Sequence, residues 1–134
     1  MDRLTERLHV ARRALGTFRE ALRESKTPMT RDASIQRFEY TFEAVWKAAQ
    51  LYLRVRENLE LASPTAVTRA CFQAALLNEE QCRTAMNMVR DRNLTVHTYN
   101  EELADQIYSL LPAYAALMDQ WLTAMSGEAA FELS

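Results

Sequence analysis

Two glycines and three prolines in a chain of 134 residues leave few places where the backbone can turn sharply. A β-sandwich or barrel needs a turn roughly every ten residues and draws heavily on both residue types. Long helices joined by short links do not. The apolar residues carry the same message. Leu4, Leu8, Ala11, Leu15, Phe18 and Leu22 recur at alternating steps of four and three, which puts one apolar stripe along a single helix face.

After a break at residues 25–29, Thr30 or Asp32 is positioned to cap a second helix with Ile35, Phe38, Phe42, Val45, Trp46, Ala49, Tyr52 and Leu53 on one side. Ser63 followed by Pro64 predicts a shorter third helix through Val67, Cys71, Phe72, Ala75 and Leu76, ending near Leu77. Asn78 to Gln81 reads as a capping box. The fourth helix it opens turns Cys82, Ala85, Met86 and Val89 inward and sets Arg83, Asn87 and Arg90 on the opposite face. The last helix begins between Thr95 and Asn100. It carries Leu103, Ile107, Leu110, Tyr114, Leu117, Met118 and Trp121 inward, bears a kink at Pro112 and stops around Ser126, Gly127 and Glu128, with a loosely held remainder.

With 49% hydrophobic and 25% charged residues the chain has enough apolar surface for one core. The expectation is all-α: residues 1–134 as one domain, an up-down antiparallel four-helix bundle with one additional short helix. Tyr40 and Tyr108 fall on helix flanks, as surface residues or as a dimer seam.

A net charge of −2 gives no overall attraction to nucleic acid or anionic lipid, so any polyanion site must be local. Arg83 and Arg90, with Arg31 and Arg37, are the candidate phosphate guides. Cys71 and Cys82 form no CxxC pair and read as reduced, small core residues. Residues 1–7 contain no apolar targeting segment, and no run approaches the roughly 20 apolar residues of a membrane span, so a cytoplasmic location away from membranes is expected. There is no HExxH and no clustered Cys/His set, so no metal or cofactor is expected; Glu39 and Glu43 read as a solvated helix face.

Chemistry is concentrated in residues 92–99. His9 sits alone on a charged amphipathic helix, which leaves His97 as the candidate acid–base group, because histidine changes charge near neutral pH. Arg92 precedes it by five positions, and on a continuous helix the two side chains point about 140° apart. A helix end near Asn93 and a new start around Thr95 would let guanidinium and imidazole meet. The chemistry that fits is phosphodiester cleavage in RNA, with His97 moving a proton and Arg92 neutralising charge on phosphate. The bland alternative is a first-turn histidine bonded to backbone, with Tyr99 an edge aromatic.

The run Arg92, Asn93, Leu94, Thr95, Val96, His97, Thr98, Tyr99 resembles the signature of the HEPN superfamily. Together with residues 34–43, Trp46 and Lys47, Ser63 and Pro64, and residues 98–101, it is similar to the nucleotidyltransferase substrate-binding proteins. The resemblance implies a helical bundle that forms homodimers or higher oligomers and has a separately encoded minimal nucleotidyltransferase as partner. It also implies a toxin–antitoxin pair in which the bundle cleaves RNA without a metal. Arg92 and His97 are then catalytic, Asn93 supporting and Tyr99 the site of silencing by adenylation; Arg83 and Arg90, on the exposed face of the fourth helix, are RNA-binding candidates from their position alone, the alternative being ordinary solvated arginines. Two other readings stay open: a non-catalytic subunit that presents nucleotide, substrate or Tyr99 to the transferase, and a plain helical adaptor.

Overall fold

The structure, a computed structural model, describes residues 2–127. Five α-helices and one 3-10 turn follow in order, with no strand among the described residues: α1 (Arg3–Arg23), α2 (Pro28–Glu57), α3 (Pro64–Gln73), α4 (Glu79–Leu94), the turn Thr95–His97, and α5 (Glu101–Ser126). The expected all-α bundle with one short helix is what forms. Residues 24–27 alone separate α1 from α2, which pack along each other, so α2 must run back beside α1. α5 lies against both, and α3 and α4 close the remaining side.

Each start has a local cause. Asp2, Ser63, Asn78 and Asn100 each accept a backbone N–H three residues on, and Pro64 occupies the first turn of α3. α2 departs from expectation. Its cap is Thr27, not Thr30 or Asp32, because Pro28 starts the helix and Thr27 and Thr30 satisfy each other's backbone N–H groups as a capping box. At the far end Gly127, at φ +65°, supplies the left-handed residue that stops α5. The expected loose tail beyond it lies outside the described residues.

One contiguous cluster of buried side chains draws on all five α-helices and is centred on Phe18, Phe38, Phe42, Leu53, Met118 and Trp121. Phe38 bridges its layers, with ring centroids 6.1 Å from Phe18, 6.3 Å from Phe42 and 5.5 Å from Tyr114. The inward stripes of α1 and α2 are those the periodicity indicates. Three details shift. In α5 the inward residue is Leu111, fully buried, while Leu110 is exposed. In α4 Met88 is fully buried and Cys82, Met86 and Val89 are only half-buried. α3 ends at Gln73, short of Leu77, with Phe72 exposed and Ala75 held at φ 63° so that the chain can turn Leu77 into the core. α5 continues as one helix across Pro112, whose ring is exposed. Both cysteines are free; burial pushes the Cys71 thiol up to about 11. No helix among the described residues is long and apolar enough to cross a membrane.

Candidate functional site

The junction between α4 and α5 is built from the inside out. α4 turns Ala85, Met88 and Asp91 inward, and the stripe continues to Thr95 in the following turn. Two of these four are polar, and both are occupied. Asp91 accepts a hydrogen bond from the Tyr114 hydroxyl on α5, and its other oxygen lies 3.4 Å from Arg90 Nε. Burial and the neighbouring carboxylate together push the Tyr114 phenol well above its ordinary range, so it stays protonated and donates. Tyr114 stacks on Phe38, so α4, α5 and α2 meet at one point.

Thr95 ends the helix. Its hydroxyl donates to the Arg92 carbonyl at 2.7 Å and accepts from Arg92 Nη1 at 3.2 Å, tying the residue after α4 to the last turn. The same Nη1 lies 3.8 Å from Glu39 Oε2 on α2. Arg92 is therefore half-buried and rooted at two points, and its Nε is buried without a hydrogen-bond partner among the described residues. The break that the sequence reading required between Arg92 and His97 is present as the 3-10 turn Thr95–His97.

That turn throws its other side chains outward. The Thr98 hydroxyl bonds the Thr95 carbonyl at 2.9 Å, and the Asn100 N–H bonds the His97 carbonyl at 3.1 Å, so the backbone is held from within. His97 and Val96 are exposed, and Tyr99 is 82% exposed. The His97 and Tyr99 rings stand edge to face with centroids 6.0 Å apart. Among the described residues neither makes a hydrogen bond through its side chain.

The structure thus pairs His97 with Tyr99 and roots Arg92 in the same junction, but no hydrogen bond joins Arg92 to His97. Asn93 is exposed on the last turn of α4. Arg83 and Arg90 are exposed as expected, each beside a carboxylate, Glu79 at 3.3 Å and Asp91 at 3.4 Å. Arg31 is not an exposed phosphate guide. It is buried at the start of α2, where Asp32 and Asp105 lie at 3.0 and 3.2 Å and Glu101 at 3.7 Å. Lys26 and Arg31 hold the Asp105 carboxyl below the usual carboxylate range. Arg37 is likewise engaged, donating to the Thr17 carbonyl at 2.7 Å.

The roles of four junction residues, Glu39, Asp91, Thr95 and Tyr114, escape the sequence reading. Glu39, with Glu43, looks like a solvated face, yet Glu39 faces Arg92 and Glu43 accepts the Trp46 indole N–H at 2.9 Å. Asp91 hides in a charged run, and Thr95 looks like an ordinary end residue. Tyr114 carried a usable signal, since a tyrosine on an inward stripe needs a buried acceptor for its hydroxyl.

These features define an all-α bundle with an exposed histidine–tyrosine pair and a tethered arginine at one helix junction. The chain belongs to the family of proteins described as nucleotidyltransferase substrate binding protein like, whose pattern matches residues 6–127. A crystallised protein from Thermus thermophilus is 55% identical and superposes with a TM-score of 0.83, covering 86% of this chain and 98% of its own. A chain in a crystal structure of a toxin–antitoxin with AMP-PNP is 13% identical with a TM-score of 0.72, covering 93% of this chain and 99% of its own. At that identity the likeness concerns the fold. No curated protein matches the sequence.

Proposed function

We propose that this chain is the HEPN-type partner of a separately encoded minimal nucleotidyltransferase and acts in the cytoplasm, as a homodimer or larger assembly, as the toxin of a toxin–antitoxin pair. In this reading it is a metal-independent endoribonuclease silenced by adenylation of Tyr99. The observation that carries the reading is the pairing of an exposed His97 with an exposed Tyr99 on a turn closed from within by the Thr98 and Asn100 hydrogen bonds. Family membership and the shared fold with a chain of a toxin–antitoxin assembly support it.

In RNA the 2′-hydroxyl oxygen attacks the adjacent phosphorus, the new P–O2′ bond forms and the P–O5′ bond breaks. His97 takes the hydroxyl proton or supplies one to the departing O5′, and Arg92 neutralises charge on the non-bridging oxygens. In this reading Asn93, one residue from Arg92, supports the phosphate, and Arg83 and Arg90 guide the RNA along α4. Silencing needs only an accessible phenol. The Tyr99 oxygen attacks the α-phosphorus of ATP, the tyrosyl O–P bond forms, pyrophosphate leaves and the phenolic proton goes to solvent. The product places a fixed negative charge beside His97, where it repels an incoming RNA phosphate.

The Glu39 contact favours a second reading. An arginine already facing a carboxylate has less charge to offer a phosphate, as suits a non-catalytic subunit that presents substrate, nucleotide or Tyr99 to the transferase. The two readings part on one experiment: a mixed RNA pool incubated in EDTA with the unmodified chain and with folded His97→Ala and Arg92→Ala variants. The nuclease reading expects cleavage that falls at least about 100-fold in the His97 variant. No cleavage by a parent shown by mass spectrometry to lack adenylate on Tyr99 leaves the presenting subunit.

A further inference from the structure

Far along the chain from the junction, the first turns of α1, the middle of α2 and the loop after α2 line an open cleft of about 310 Å³. α2 contributes Lys47, Gln50, Leu51 and Arg54, spaced three, four and seven residues from the first, so that all share one helix face. α1 contributes Arg3 and Arg7, one turn apart on its own face. The loop bends over them because Asn58, at φ 57°, reverses the chain and the Leu59 N–H bonds the Leu53 carbonyl at 3.1 Å. Gln50 then pins it, its amide donating to the Leu61 carbonyl at 2.7 Å.

The charge around this cleft runs against the rest of the molecule. Arg3, Arg7, Lys47 and Arg54 line it with one carboxylate, Glu60, although the whole chain carries −2. Among the described residues none of the four makes an ion pair, and the contact seen is Lys47 over the Trp46 ring at 4.9 Å. Elsewhere on the same two helices Arg12 reaches Asp119 at 2.6 Å and Arg31 and Arg37 have acceptors, while Arg13, Arg23 and Arg56 form no ion pair among the described residues but do not converge on one cleft. Four cations around a single carboxylate leave a net positive cleft, and a bound anion relieves their mutual repulsion. Leu51, Leu59 and Leu61 add an apolar wall beside the charges. Arginine forks match phosphate oxygens, and the volume lies at the lower end of small-ligand sites, roughly 300 Å³.

We propose that this cleft between α1, α2 and the loop after α2 binds a nucleoside di- or triphosphate, its phosphates between Arg3 and Arg7 on one helix and Lys47 and Arg54 on the other, its nucleoside against the leucines. The cations stand on both sides of the cleft, as a short run of phosphates requires and a single phosphate does not. A compact cleft rather than an extended basic face favours a free nucleotide over an RNA backbone. The cleft shares no lining residue with Arg92, His97 and Tyr99, and the inference does not rest on the nuclease reading.

The test is calorimetric titration of the purified chain with ATP, inorganic tripolyphosphate, adenosine and a hydroxyl-ended single-stranded oligonucleotide. The expected result is binding of ATP and of tripolyphosphate, weakened at least about tenfold in the Arg7→Ala/Arg54→Ala double variant and weakened by added salt. The Lys47→Ala variant should weaken ATP in the same direction, and Arg23→Ala, at an exposed arginine in the last turn of α1 away from the cleft, leaves ATP binding unchanged. The variants lie on exposed positions, and their folding is checked by circular dichroism. Absence of ATP binding at millimolar concentration, ATP binding that the cleft variants leave unaltered, or an oligonucleotide that binds more tightly than ATP and displaces it would each overturn the proposal.

Discussion

The two walls of the α4–α5 junction are made by neighbouring residues and treated in opposite ways. On the inner wall Asp91, Thr95 and Tyr114 are buried, and every side-chain oxygen named there has a partner. On the outer wall His97 and Tyr99 are exposed and carry no side-chain hydrogen bond among the described residues. A polar group sealed away from water must be satisfied or it costs stability, so the inner wall reads as structure. An aromatic pair left in water on a backbone that is otherwise fixed has no structural reason to be there. Arg92 sits between the walls, held by Thr95 and Glu39 yet not enclosed.

That division can be attacked from the inside first. Asp91→Ala leaves the Tyr114 hydroxyl buried without its acceptor, and urea denaturation should show a loss of about 2–4 kcal/mol; a loss under about 0.5 kcal/mol would remove the distinction between the walls. A pH series probes another sealed group. The Cys71 thiol, raised from 9.0 to about 11, favours the folded state fully below pH 9, and this contribution is lost as pH rises through 11. Stability should therefore fall by roughly 2–3 kcal/mol across that window, and the fall should shrink in Cys71→Ala compared with its own value at pH 8.

Smaller effects belong to positions in water. Ala75 holds a left-handed conformation at φ 63° and is exposed, so Ala75→Gly should raise stability by about 1 kcal/mol. His97→Ala and Tyr99→Phe should change it by less than about 0.5 kcal/mol, read by thermal unfolding. A large destabilisation by either would turn the outer wall into structure.

The bundle was legible because helix periodicity and caps are local signals. The stripe on α1, the Ser63–Pro64 start and the Asn78 capping box each need only a few adjacent residues. Errors arise where neighbouring residues compete for one place. Leu110 and Leu111 are equally apolar, and only packing in the shared core selects the second. At α2 three candidate caps stand within six residues, and Pro28 decides among them by fixing the first turn. The site divides the same way. Arg92, His97 and Tyr99 lie in one short run and could be named together. Glu39 and Tyr114 reach that run from α2 and α5, and no pattern within a single helix announces a contact between helices.

The division between the walls is tested most directly by asking which tyrosine a minimal nucleotidyltransferase from the same genome modifies. The chain carries five, spanning Tyr99 at 82% exposure, Tyr40 at 43% and Tyr114 at 2%. After incubation with the transferase and ATP, peptide mass spectrometry should find adenylate on Tyr99 and none on Tyr40, Tyr52, Tyr108 or Tyr114, with Tyr99→Phe unmodified. Adenylate on another tyrosine, or modification undiminished in Tyr99→Phe, would contradict the assignment of the outer wall as the functional face.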